Sequence, residues 1–367
     1  MGEDSAGTGT GSEPSADRSA HSGDPHRRWL ARAVRLALIL LLIIGLALLL
    51  VPLADVFMLI FSAVLIAVLF RAAAMPFQRI GLGETPSVFC GVILIIAILA
   101  LSGYMFGNAL AAQLDTLLAR LPAAVESLRG WVATLPFGEG VARTTPDLQG
   151  AAMQAVNFAF GAFGVLTNLI VVLIAAIYLA LQPRLYARGM VLMFPQSQAA
   201  RVEQALFASG TALHKYLLGQ FFTMALVGTL VGTGLAIVGV PSAAALGLIV
   251  GIANFVPLIG PFIGAVPGIL LALTVSRDAT IAAAIVYLVA QQIEGNVVTP
   301  LVQRSAVSIP PALLLIALAG LGAIFGIMGV ILAAPLAVVL YTLTVMLWVR
   351  DTLGYDVPIP GQGNGKA

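Results

Sequence analysis

Apolar runs long enough to cross a bilayer recur from residue 33 onward, separated by short polar intervals. A bilayer core needs about 20 apolar residues per helix, and this pattern is met again and again. Span one is predicted over 33–53, ended by Pro52 and Asp55. Span two follows over 56–70, short enough that Arg71 is expected to snorkel to the interface. A loop with Pro76, Arg79, Gly81 and Gly83 leads to span three over 85–112. Span four covers 153–181 and span five 217–240. Another crossing is predicted over 279–299.

The intervals have their own periodicity. Leu114, Leu117, Leu118, Leu121, Val125, Leu128 and Val132 recur at three- and four-residue steps, whereas Asp115, Arg120, Glu126 and Arg129 avoid that stripe. This is an amphipathic helix, with Pro122 as the place for a bend, able to lie on the membrane or on a neighbouring subunit. A second stripe, Val202, Ala205, Leu206, Ser209, Leu213 and Tyr216, falls in the interval 183–215. In span five, Gly228 and Gly232 stand four apart, a spacing that allows close helix approach.

Two uncharged runs are too long for one straight crossing. The 35 positions between Pro241 and Arg277 would form a rod of about 50 Å against a core of about 30 Å. The 45 between Arg304 and Arg350 are longer still. Each must bend, re-enter or run along the surface. The pattern therefore predicts an all-α, polytopic membrane protein with about eight transmembrane helices, at least one broken or re-entrant. Each long run is counted here as one crossing, and a hairpin in the second is ranked lower. The transmembrane domain is read as 33–349, with 113–150 outside and 183–215 inside.

Charge orients this scheme. Of the 18 Lys and Arg residues, only Arg120, Arg129, Arg143 and Arg304 fall in segments expected outside, as the positive-inside rule requires. Both termini are then cytoplasmic. The tail at 1–28 is rich in Gly, Ser, Asp and Pro and is expected to be disordered; 350–367 forms a C-terminal cytoplasmic tail. Arg27 and Arg28 resemble a twin-arginine signal, but the apolar run that follows is too long and has no cleavage site. Composition agrees with the membrane reading: 60% of residues are hydrophobic and 9% charged. The net charge of +2 gives no reason to expect nucleic acid as a partner. Cys90 stands alone, so no disulfide forms within the chain.

Two constellations carry the candidate chemistry. The first is NFVPLIGPFIGAVPG, 254–268. Pro257 lacks an amide hydrogen and crowds the carbonyl four residues back; Gly260 before Pro261 biases the chain toward a turn. Backbone freed at this depth survives only inside protein or beside a water-filled cavity. The two prolines favour cavity lining for the break, with Asn254 offering a donor and an acceptor. Gly260, Gly264 and Gly268, four apart, fit close packing as well as cavity lining. The second is QQIEGNVVTP, 291–300, where Gln291, Gln292, Glu294 and Asn296 interrupt an apolar segment that ends at Pro300. An intramembrane glutamate must pair, hold a proton or face water, and is a candidate for proton coupling or cation binding. A straight helix from Asp278 would also carry Glu294 about 24 Å onward, near the far interface. In the second long run, Gly320, Gly322, Gly326 and Gly329 form a flexible centre and a candidate hinge.

No H-E-x-x-H or G-x-S-x-G motif occurs, and GQGNGKA at 361–367 has the wrong spacing for a nucleotide loop. The expectation is a transporter rather than an enzyme, with no cofactor and no metal site. A secondary transporter of a small solute or monovalent cation reads best. A channel-like pore and a non-transporting scaffold, recruiting partners through 113–135 and 197–217, are the alternatives.

The stretch from HKYLLGQFF at 214 through NFVPLIGPFIG and QQIEGNVVTP to GLGAIFGIMGVILAAP, 320–335, resembles the autoinducer-2 exporter family of bacterial inner-membrane proteins. The likeness covers roughly 33–349. It implies eight spans, an elongated segment between spans three and four, and homo-oligomers. It also implies export of a small signalling furanone in some members and sodium– or lithium–proton antiport in others. Gln182 and Pro183 depart from the acidic or lysine-bearing turn common after span four.

Overall fold

The computed structural model describes residues 53–133, 169–301 and 309–359. The expected tail at 1–28, almost all of span one, the interval 134–150, the first half of span four and the end of the C-terminal tail lie outside them. The chain divides into two compact units, Met1–Ala54 and Asp55–Ala367, and every contact below lies within the second.

The regular elements among the described residues are all helices. Five helices are long and apolar enough to cross a membrane, six when a bent pair counts as one span. α1 is Leu53–Arg79 and α2 is Glu84–Ala133. α3 is Leu169–Leu181, α4 Pro183–Val191 and α5 Gln196–Val238. α6 is Ala243–Ala253 and α7 Gly260–Leu273. α8 runs from Arg277 to Ile293 and continues as a π-turn over Glu294–Val298. α9 is Pro311–Leu343, followed by a π-turn over Thr344–Arg350.

Two expected boundaries disappear. Span three and the amphipathic stripe form one helix, α2, which keeps Pro122 inside it. The second stripe and span five are likewise one helix, α5. The polar residues read as a boundary, His214 and Lys215, sit on a helix whose buried face simply continues through Leu213, Leu217 and Val227. α5 ends where Gly239 takes φ +82° and its amide and that of Val240 close back on Ala236 and Leu235, a left-handed cap that suits glycine. Arg71 is half-buried rather than simply snorkelling: its guanidinium donates to the Ala180 carbonyl at 3.0 Å.

The two long runs were each expected to cross once; both instead fold back as hairpins. In the first, a Cβ on Gly260 would strike the Ala253 carbonyl, and one on Gly264 would lie 2.9 Å from the Val250 Cα. Pairs whose numbers converge toward the loop in this way place α6 and α7 antiparallel, with 254–259 as the tip. At 11 and 14 residues, these arms reach about 17 and 21 Å, too short to cross alone. In the second, Gly326 has φ +59° and ψ −141°, and a Cβ on Gly329 would strike the Leu321 carbonyl. Residues eight apart on a straight helix lie about 12 Å apart, so α9 reverses at Gly326 into two arms, 311–325 and 327–343.

Composition favours this close approach. Gly228 and Gly232 let α5 touch the backbone of α6 at Gly247 and Gly251, as their spacing predicts. Val231, Leu235, Leu246, Leu271 and Ala283 then form one core of α5, α6, α7 and α8. Ala63, Phe70, Val88 and Ala176 join α1, α2 and α3. The two hairpins meet through Val256 at the first tip and Leu318 and Ala333 on the arms of the second.

Candidate functional site

The break in the first hairpin has a local cause. Asn254 caps the C-terminus of α6, Pro257 removes an amide from the tip, and Leu258 adopts φ +71°. A non-glycine residue there costs about 1–3 kcal/mol and tends to mark functional segments. Gly260 and Pro261 were expected to turn the chain. They instead open α7, where Pro261 occupies the first turn and its missing amide leaves nothing unpaired. The break therefore lies just upstream, over 254–259.

The tip is half enclosed: Asn254 and Val256 are buried, whereas Leu258 and Ile259 are exposed. Asn254 is fully buried. Its backbone carbonyl accepts from Gln220 Nε2 of α5 at 2.5 Å. The amides of Phe255, Val256 and Gly260 bond to carbonyls of α6 and the tip, and the Phe255 ring lies against Phe221 with centroids 6.5 Å apart. An apolar groove of about 650 Å³ does open between α5 and α6, lined by Phe221, Gly228, Gly232, Gly247, Gly251 and Ile252. It stops short of Asn254, and neither Pro257 nor Glu294 lines it.

Glu294 comes to this tip. Asn254 Nδ2 donates to Glu294 Oε1 at 3.2 Å, joining residues that the sequence places 40 positions apart. Glu294 begins the π-turn of α8. Pro300 accounts for it: lacking an amide hydrogen, it cannot answer the Asn296 carbonyl, and the helix widens before it. The remaining oxygens, Asn254 Oδ1 and Glu294 Oε2, are buried and have no hydrogen-bond partner among the described residues. Leaving such atoms unmet costs roughly 1–3 kcal/mol each, more for a charge. A group that supplies positive charge or a donor between them would recover it. The negative end of α6 points at the same place.

The other sequence candidates divide. Gly264 and Gly268 pack against Val250 and Tyr287, and Tyr287 donates to the Gly264 carbonyl at 3.1 Å, so packing accounts for both. Gln291, Gln292, Asn296 and Pro300 are exposed; Asn296 donates to Gln292 at 3.1 Å, and none of the four joins Asn254. Of the hinge glycines, Gly326 alone has a positive φ, Gly322 and Gly329 are contact positions, and Gly320 has open space around it.

Sequence reasoning missed Gln220. A lone amide inside an apolar helix was the available signal, masked by its nearness to Lys215. Replacing Gln220 with Leu leaves the Asn254 carbonyl without a donor in a buried site, which costs about 1–3 kcal/mol. Thermal unfolding in detergent is expected to show a lower midpoint for Gln220→Leu, with Gln220→Asn falling between it and the unaltered protein.

Comparison with known proteins now bears on this geometry. A 146-residue stretch is 35% identical to "Putative transport protein YrrI" of Bacillus subtilis (strain 168), covering 40% of this chain and 41% of that relative. A longer match, 27% identical over 271 residues, joins 69% of this chain to 73% of "Putative transport protein YueF" of the same organism. "Putative transport protein MT0215" of Mycobacterium tuberculosis is 34% identical over 39% of each chain. No solved structure matches. The family model described as AI-2E family transporter matches residues 36–347, a span that includes both hairpins and the Asn254–Glu294 contact, and the chain therefore belongs to the AI-2E transporter family.

Proposed function

We propose that this protein is a secondary transporter that moves a small polar solute, of the autoinducer-2 type, across the bacterial inner membrane, with Glu294 coupling the movement to a proton or a monovalent cation. One observation carries the reading: a buried carboxylate and a buried amide meet at the tip of a broken helix, each with an oxygen left over. Discontinuous helices with exposed carbonyls are how secondary transporters hold ions in a bilayer. Asn254 and Glu294 bind the ion, and Gln220 positions Asn254. The Leu258 strain and the Gly326 reversal give each hairpin a place to change conformation. The exposed amides of Gln291, Gln292 and Asn296 are candidates for the wall of the solute path or for a contact between copies in a homo-oligomer.

Sodium– or lithium–proton antiport rests on the same pair of oxygens, with the cation then as cargo. An open pore or a scaffold gives no role to a carboxylate and an amide that meet with one oxygen each left over. For orientation, Arg71, Arg184, Arg188, Arg201 and Arg350 gather at one end of the helices, as the Arg71–Ala180 bond and the approach of Met346 to Ala200 indicate. We place that end, and both termini, in the cytoplasm. The hairpins move Arg277 to the other side while preserving the parity of crossings.

The test is a flux screen of the full chain in proteoliposomes. Sodium, lithium, protons and small sugar-like solutes are offered in turn, each under imposed ion gradients. Gradient-driven solute accumulation supports the exporter; cation exchange for protons without solute movement supports the antiporter; neither, in vesicles shown to hold folded protein, rejects transport through this site.

A further inference from the structure

The bend between α3 and α4 points to a membrane contact. α3 is an apolar helix, and at Gln182 and Pro183 the chain turns by 88° into α4. With α3 taken as the end of the crossing that the sequence predicts over 153–181, a helix at nearly a right angle to it lies along the bilayer surface. The Arg71 guanidinium, bonded to the Ala180 carbonyl just before the bend, sets a charged group at the same level.

α4 is built for that position. None of its residues is buried. At 100° per residue, Arg184 and Arg188 share one edge, and Tyr186 and Met190 stand on the opposite one. Leu185, Tyr186 and Met190 are all exposed, and the chain continues into Leu192 and Met193, which are 83% and 84% exposed. Among the described residues neither guanidinium has a hydrogen-bond or ion-pair partner. Water on the apolar edge would be unfavourable, whereas an acyl boundary below and phosphates beside the arginines would satisfy both edges.

We propose that α4 is an interfacial helix that binds the surface of an anionic phospholipid bilayer. Its apolar edge, Tyr186 and Met190, enters the acyl boundary, and Arg184 and Arg188 take the headgroup phosphates. Charge complementarity selects the lipid: two unpaired guanidiniums favour phosphatidylglycerol over zwitterionic lipid, by about fivefold per arginine near such a surface. The proposal does not depend on the transported solute.

The test uses the full chain with Cys90→Ala as background. Single cysteines, Met190→Cys and Arg188→Cys, are spin-labelled after reconstitution into phosphatidylcholine vesicles with and without 30% phosphatidylglycerol. The 190 label is expected about 5–10 Å below the phosphates, accessible to oxygen and shielded from a water-soluble nickel complex; the 188 label is expected at headgroup level. Free access of nickel to the 190 label would overturn the proposal. So would a label shut off from both reagents, since that is a protein–protein contact. In the second arm, Arg184→Ala with Arg188→Ala should cut the preference for spin-labelled phosphatidylglycerol by about 25-fold, and the paired lysine substitutions should retain most of it. An undiminished preference in the alanine pair overturns the headgroup assignment.

Discussion

Glu294→Gln is expected to abolish ion-coupled flux while leaving the protein folded. The glutamine keeps the shape of the side chain and removes its charge. Its carbonyl can still accept from Asn254 Nδ2, and its new amide can reach the Asn254 Oδ1 that now lacks a donor. A buried charge is exchanged for a neutral group with better-matched neighbours, so the thermal midpoint should hold or rise. Function runs the other way. A neutral amide neither releases a proton nor balances a cation. Losing one charge-assisted contact of about 1.5–3 kcal/mol weakens ion binding by at least about tenfold, and coupling is lost altogether. In proteoliposomes, gradient-driven uptake should fall to the level of empty vesicles and any dependence on pH should vanish. Asn254→Ala should reduce flux less, since the carboxylate remains. Wild-type flux with an intact pH response in Glu294→Gln would remove this residue from the mechanism.

The choice of Glu294 and Asn254 illustrates what the sequence made legible. Both were visible as polar side chains where apolar ones belong, and the break between Asn254 and Gly260 was visible as proline and glycine inside a run too long to be straight. Membrane helices were legible for a similar reason, since length and the absence of charge are counted directly along the chain. What composition does not record is direction. A long apolar run reads the same whether it crosses or doubles back; the reversal is decided by which backbones touch, as Gly264 on Val250 and Gly329 on Leu321 show. Boundaries failed in the opposite sense. Lys215 looked like the edge of a span because charge is expensive in lipid, but α5 extends past the apolar layer and carries the charge with it. Pro261 looked like a breaker because its position within a helix is unknown until the first turn is located. Gln220 acts through an acceptor 34 residues away, and no local pattern announces a partner at that distance.

The steepest loss of stability is expected from Gly329→Ala. The Cβ it adds would overlap the Leu321 carbonyl and crowd the Phe325 Cβ on the opposing arm. A backbone carbonyl cannot swing aside like the end of a long side chain, so the arms of α9 must separate. That separation loosens the packing of Leu318 and Ala333 on Val256, which supports the tip bearing Asn254. Overpacking of this kind costs about 1–3 kcal/mol, occasionally more, and the weakened seam between the two hairpins adds to that. Gly320 supplies the control. It lies on the same hairpin with nothing within 4 Å of an added Cβ, so Gly320→Ala meets no obstacle and gains helix propensity of about 1 kcal/mol. Thermal unfolding of the purified full chain should therefore move in opposite directions for two identical chemical changes nine residues apart: down for Gly329→Ala, level or up for Gly320→Ala. A straight α9 predicts something else, because there position 329 faces no part of residue 321 and both substitutions stabilise. Equal upward shifts would thus reject the reversal at Gly326, and with it the seam that Leu318 and Ala333 make with Val256 of the first tip.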